Sequence, residues 1–106
     1  MNEPRRGEVW LVDLGLAAKV RPCLVLSVPA AETERALVAL VPHTTAVRGT
    51  RFECSARVAF LKPGAFDAQG IVTVPYAKLL RRLGILRPEQ LALVEAALAQ
   101  WLGLRP

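Results

Sequence analysis

The sequence predicts a mainly β domain closed by one C-terminal helix, an α+β architecture whose strands make a small, strongly curved sheet or open barrel. Three observations carry this. Apolar or alternating runs of strand length recur along most of the chain, each bounded by Pro, Gly or charged turn residues. Apolar residues at clear helical spacing appear only after Pro88. The chain has 106 residues, 53% of them hydrophobic, which suits a single domain spanning 1–106 and one folded core.

Residues 7–14, Gly-Glu-Val-Trp-Leu-Val-Asp-Leu, are rich in β-branched and aromatic side chains and read as a first strand near a sheet edge, with Glu8 and Asp13 on opposite faces. A short connection, 15–19, leads into a second strand, 20–27. There Arg21-Pro22 stands at the mouth of an apolar run, and Pro22 falls at a strand start, where a missing N–H is tolerated. Residues 28–35 supply turn residues and charge. The continuous apolar run 36–41 then predicts a strand covered on both faces.

Residues 43–50 are expected to form a loop, and 51–55 a half-buried strand with alternating polarity. A further short strand is expected at 58–61, before the Lys62-Pro63-Gly64 turn, and another at 71–74, stopped by Pro75. Residues 76–83 read as a short helix with Lys78, Arg81 and Arg82 on its polar side and Gly84 at its end. The last helix is the clearest element: Pro88 suits a first helical position, Leu91, Val94, Leu98 and Trp101 recur at helical spacing, and Gly103 closes the run.

Composition narrows the function. No apolar run approaches the roughly 20 residues that cross a bilayer, and the N-terminal stretch lacks the apolar segment of a signal peptide. A cytoplasmic location without membrane contact is therefore expected. Cys23 and Cys54 are far apart and lack metal or redox spacing, so free cysteines acting as small hydrophobes are expected. Fourteen basic residues against nine acidic ones give a net charge of +5 and a pI near 10.0. The excess is mostly arginine, whose planar fork suits phosphate, so a nucleic acid or an acidic protein is the natural partner.

Several chemistries lack their residues. One histidine, two separated cysteines and no paired carboxylates at ligand spacing make no metal site. There is no glycine-rich phosphate loop, and nothing like a nucleophile elbow surrounds Ser27 or Ser55. No cofactor is implied. Arginine and hydroxyl groups remain, and they suit metal-free cleavage of RNA by its own 2'-hydroxyl, because the substrate brings the nucleophile. Arg21 can neutralise charge building on the phosphate oxygens, and Thr44 can hydrogen-bond the scissile phosphate or the hydroxyl. His43, with an ordinary pKa near neutrality, is either a general base or a binding residue. Lys19 and Arg48 are candidate phosphate contacts, as are Arg51, Arg81 and Arg82. Trp10 reads as core rather than as a stacking surface, and Trp101 as helix packing.

Gly7-Glu8-Val9-Trp10, Arg21-Pro22 heading an apolar strand, Pro42-His43-Thr44 ending the next, and the tail 79–104 with its Leu-Gly-Ile-Leu and Pro-Glu-Gln-Leu segments together resemble the MazF/PemK family of toxin ribonucleases. The resemblance runs through nearly the whole chain in the same order. It implies an SH3-like open barrel of the CcdB/PemK type, working as a homodimer and as the toxin of a type II toxin–antitoxin system. It further implies metal-independent cutting of single-stranded RNA and inhibition by an acidic antitoxin. Arg21 and Thr44 take the place of the catalytic pair. Thr45, directly after Thr44, leaves the hydroxyl ambiguous by one residue, and Gln69 takes the place of a glutamine near the RNA. The expected RNA-binding set is thus Lys19, His43, Thr45, Arg48 and Gln69. The connection at 15–19 is shorter than the glycine-containing loop of many members. Two alternatives stay open: a CcdB-like poison that binds gyrase, and an RNA-binding module of the same fold without catalysis.

Overall fold

The computed structural model describes residues 3–17 and 19–104; Ala18 of the first connection and the two residues at each terminus, including the start of the segment read for a signal peptide, lie outside the described residues. Seven strands and one helix follow in the order β1 (Glu8–Asp13), β2 (Val20–Val25), β3 (Leu37–Thr44), β4 (Glu53–Cys54), β5 (Ala65–Asp67), β6 (Val72–Pro75), β7 (Leu79–Ile85) and α1 (Pro88–Leu102). All pairings are antiparallel, in the order β4-β5-β3-β2-β1-β7, with β6 also on β3. The sheet does not close, since β4 and β7 stand at its two ends.

β3 is the longest strand and organises the rest. One edge pairs with β2. The other is divided: Leu37 to Leu40 pair with β6, and His43 and Thr44 pair with β5. Pro42 falls between these two partners, where its missing N–H leaves no ladder bond unmade. The strand therefore continues through the proline to Thr44, whereas the sequence suggests a loop from His43 onward.

Two hydrophobic cores lie on the two faces of the sheet, as period-two alternation requires. Val9, Leu24, Val41 and Phe66 face the helix side together with Val94 of α1, while Leu91 and Leu98 pack against them. Trp10, Val12, Cys23, Val25, Val38 and Leu40 face the opposite side, with Val72, Val74 and Tyr76 over them. Gln90 accepts the Arg87 N–H (2.9 Å) at the start of α1, and Gly103 ends it at φ 70°. Trp101 packs edge-on against Phe52, with ring centroids 5.1 Å apart, yet stays 41% exposed.

β1 does lie near a sheet edge, one strand in from it, held between β2 and the edge strand β7. The structure corrects several expectations. Of residues 51–55 only Glu53–Cys54 pair as a strand. Residues 58–61 form a turn rather than a strand, and the strand in this region is β5, Ala65–Asp67. Residues 76–83 are not an α-helix: Tyr76–Lys78 make one 3-10 turn, and Leu79–Ile85 run as β7 along β1 with two register shifts. The ladder partner on β1 decides this segment over its local spacing. Glu8, only 7% exposed, accepts hydrogen bonds from Arg5 N (2.9 Å) and Trp10 Nε1 (3.0 Å) and pairs with Arg82 Nε at 3.3 Å. No helix among the described residues is long and apolar enough to cross a membrane.

Candidate active site

The β2–β3 ladder pairs Val25 with Leu40, Leu24 with Val41 and Cys23 with Pro42. Carried two residues further along the same register, Arg21 comes opposite Thr44. Alternation puts Pro42 and Thr44 on one face of β3 and His43 on the other, and Thr45, in the bend after the strand, lines the same groove as His43. Each face carries a groove at this end of the sheet.

The first groove, about 500 Å3 in volume, is lined by Arg21, Pro42, Thr44, Arg48, Glu53 and Asp67, with Val72 and Val74 as an apolar floor. Thr44 Oγ1 accepts the Ala46 N–H at 3.0 Å. That bond orients the hydroxyl and leaves its proton for an anionic acceptor. The two carboxylates here are engaged with backbone. Glu53 accepts the N–H of Arg48 (3.1 and 3.0 Å) and of Thr50 (2.9 Å), and Asp67 accepts the Gln69 N–H at 3.1 Å. The Arg48 N–H bond, then that of Thr50, holds the Glu53 carboxyl below its usual range. Glu53 thus anchors the loop that carries Arg48 into the groove.

The second groove, about 490 Å3, lies on the helix-side face and is lined by Lys19, Arg21, His43, Thr45, Lys62 and Arg81, with Phe60 and Leu83 among its apolar walls. His43 is 5% exposed, with its ring edge-on to Phe66 at 5.0 Å and 72°. Burial lowers its pKa, so the imidazole is neutral near pH 7. A Cβ on Gly64 would fall 2.2 Å from the Thr44 carbonyl oxygen and 2.8 Å from His43 Cε1, so only glycine lets the turn before β5 close over these two residues. Lys19 holds φ at 57°, the one positive value of a non-glycine among the described residues, and its N–H donates to Gly15 O at 2.6 Å. That left-handed turn shortens the first connection and sets Lys19 at the groove.

Of the residues singled out from sequence, Arg21, Thr44 and Arg48 meet in the first groove, and Arg21, Lys19, His43, Thr45 and Arg81 in the second. Arg21 is the residue common to both. Thr44 and Thr45 line different grooves, and the first contains only Thr44. Gln69 lines neither groove; it is exposed in the 3-10 turn Ala68–Gly70, whose Gly70 lines the first. Glu8 is engaged by Arg82, and Asp13 Oδ1 accepts the Gly15 N–H at 2.9 Å. Sequence reasoning passed over Phe60 and Lys62, which precede the Pro63-Gly64 pair; an aromatic two residues before a cation was the available signal. Among the described residues no three His, Cys, Asp or Glu side chains gather where they could hold a metal ion. Cys23 is buried and Cys54 half-buried, and both are free.

The fold is that of a small basic antiparallel sheet protein with one terminal helix, in which an arginine and a threonine from the ends of neighbouring strands line one groove. The PemK-like, MazF-like toxin family of type II toxin–antitoxin systems matches residues 5–102, and the chain belongs to that family. Solved structures agree in fold. An endoribonuclease in complex with its cognate antitoxin, from a mycobacterial species, is 30% identical with a TM-score of 0.81, covering 100% of this chain and 99% of that one. An endoribonuclease from a mycobacterial species is likewise 30% identical, with a TM-score of 0.82 and coverage of 100% and 97%. MazF from Deinococcus radiodurans is 25% identical, with a TM-score of 0.82 and coverage of 98% and 100%.

Proposed function

We propose that the chain is a single-domain toxin endoribonuclease that cleaves single-stranded RNA by attack of the substrate's own 2'-hydroxyl on the adjacent phosphorus. The observation that carries it is that Arg21 and Thr44, two residues past the last pair of the β2–β3 ladder, line one groove. In the reaction the 2'-oxygen loses its proton and bonds to phosphorus, the bond from phosphorus to the 5'-oxygen breaks, and a proton reaches that oxygen. A 2',3'-cyclic phosphate and a 5'-hydroxyl result.

Thr44 donates its hydroxyl proton to a phosphate oxygen, its orientation set by the Ala46 N–H. Arg21 supplies positive charge where negative charge develops, held on a strand and therefore preorganised. Neutral His43 lines the second groove together with Arg21. The loop anchored by Glu53 presents Arg48 to the flanking backbone.

The solved relative bound to its cognate antitoxin supports a corresponding partner here. The net charge of +5 favours an acidic one. We place it as a largely disordered acidic segment that folds over the Arg21 side, on a toxin that is a homodimer in the cytoplasm.

Incubation of the purified protein with mixed RNA in EDTA tests the function. Fragments with cyclic phosphate ends are expected, and Arg21→Ala should abolish them. No cutting, or cutting that Arg21→Ala leaves intact, would refute it.

A further inference from the structure

The second groove carries chemistry that the cleavage step leaves unused. Its cations are Lys19, Arg21, Lys62 and Arg81, and among the described residues no carboxylate lines it, whereas the Thr44 groove sets Glu53 and Asp67 against Arg21 and Arg48. A polyanion crossing the Arg21 end of the sheet therefore meets its strongest positive field on this face. Phe60 stands in the groove wall, 40% exposed. A Cβ at Gly84 of β7 would fall 2.6, 2.7 and 2.9 Å from Cε1, Cζ and Cδ1 of Phe60, three consecutive ring carbons. Such near-equal distances place the glycine beneath the face of the ring, because an edge-on approach would bring one carbon much closer than its neighbours. Backbone without a side chain thus forms a bed under Phe60 and holds the half-exposed ring flat against β7. An aromatic ring among cations is the general means of holding a single strand, the ring taking a base and the cations its phosphates.

We propose that this groove is a subsite for a nucleotide of single-stranded RNA flanking the scissile phosphate, its base stacked on Phe60 and its phosphates held by Lys19, Lys62 and Arg81. The inference rests on the ribonuclease function proposed above. Arg21 lines both grooves, so a strand crossing it sets one neighbour of the scissile phosphate beside Thr44 and the other beside Phe60. An acidic polypeptide would be drawn by the same cations, but its carboxylates have no use for a flat ring. A nucleobase is the occupant that uses both.

The test measures anisotropy of a fluorescein-labelled, randomised RNA oligonucleotide, fully 2'-O-methylated so that it cannot be cut. Phe60→Ala is expected to weaken binding about 5- to 100-fold, the range of one lost base stack, and Phe60→Trp to retain it. Lys62→Glu, at an exposed position that spares the core, should weaken binding and flatten its salt dependence. With unmodified RNA, Phe60→Ala should raise KM more than it lowers kcat. A 4-thiouridine in the methylated strand should crosslink within residues 59–62. Unchanged binding and KM in Phe60→Ala and Lys62→Glu, in a protein that still cuts RNA, would overturn the subsite alone. So would a defect confined to self-association in sedimentation, or to capture of a synthetic acidic antitoxin peptide. Phe60-dependent binding in a protein that cuts no RNA would overturn the nuclease function and leave the subsite standing.

Discussion

Arg21 of β2 and Thr44 of β3 stand two residues beyond the last rung of their ladder, Cys23 opposite Pro42, and line one groove together. Thr45, one residue on, lines the other groove with Lys19 and His43. Separate effects of the two threonines are therefore expected. Arg21→Ala and Thr44→Ala should each lower kcat by about 100- to 1,000-fold, the usual cost of one preorganised donor. Thr45→Ala should act mainly through KM. Initial rates on a fluorogenic RNA, with melting temperatures to establish folding, measure the difference.

A pH dependence follows from His43. Burial lowers its pKa from 6.5, so below about pH 6.5 the unfolded chain takes up a proton that the folded chain refuses. This contribution to stability is complete above 6.5 and is lost as pH falls through the folded value. Glu53 is also depressed, chiefly by the Arg48 N–H, and its contribution goes only as pH falls below about 4.5. Urea midpoints should therefore decline between pH 7.5 and 5 in the wild type and stay flatter in His43→Leu.

Glu8 gathers a backbone N–H, the indole of Trp10 and the guanidinium of Arg82 at the start of β1. Glu8→Ala leaves the buried Trp10 N–H without its acceptor and is expected to cost about 2–4 kcal/mol. Glu8→Gln, which keeps an acceptor oxygen, should cost less than half of that. Chemical denaturation gives both values, and equal losses would contradict the assignment.

The two thiols should behave differently. Burial pushes the Cys23 pKa up to about 12, with Arg21 a smaller opposing influence, whereas Cys54 is half-buried. At pH 8 a disulfide reagent should titrate one thiol in the native protein and two in denaturant, since only the thiolate reacts. Peptide mapping should place the fast site at Cys54. Two fast thiols would contradict the burial of β2.

The sequence announced β1, β2 and α1 through β-branched content and helical spacing, strong signals that packing had only to ratify. β7 was illegible because Leu79, Leu80 and Leu83 around Arg81 and Arg82 satisfy a helical pattern as well as a strand, and only the neighbour β1 chooses between them. β5 is three residues long and offers no period to read. Arg21 and Thr44 were readable as a pair because each stands at the end of a strong apolar run. Phe60 and Lys62 were not, since they come from a turn and meet Arg81, a candidate phosphate contact set on a segment misread as a helix, only in space.

The divided edge of β3 has consequences for local opening. Residues 37–40 are bonded to β6 while His43 and Thr44 are bonded to β5, so the strand's root and tip belong to different cooperative units. Opening of the small β4–β5 unit leaves the 37–40 ladder paired but draws Phe66, fully buried in the helix-side core, out of its packing. Amide exchange at Thr44 should therefore follow Phe66 rather than Val38, fading and recovering with the smaller unit. A ligand that clamps β4–β5 in the folded protein would slow exchange at Thr44 more than at Val38 and would also raise the melting temperature, as any native-state ligand does, so the grip on the phosphate and the stability of the fold are tied together through Phe66.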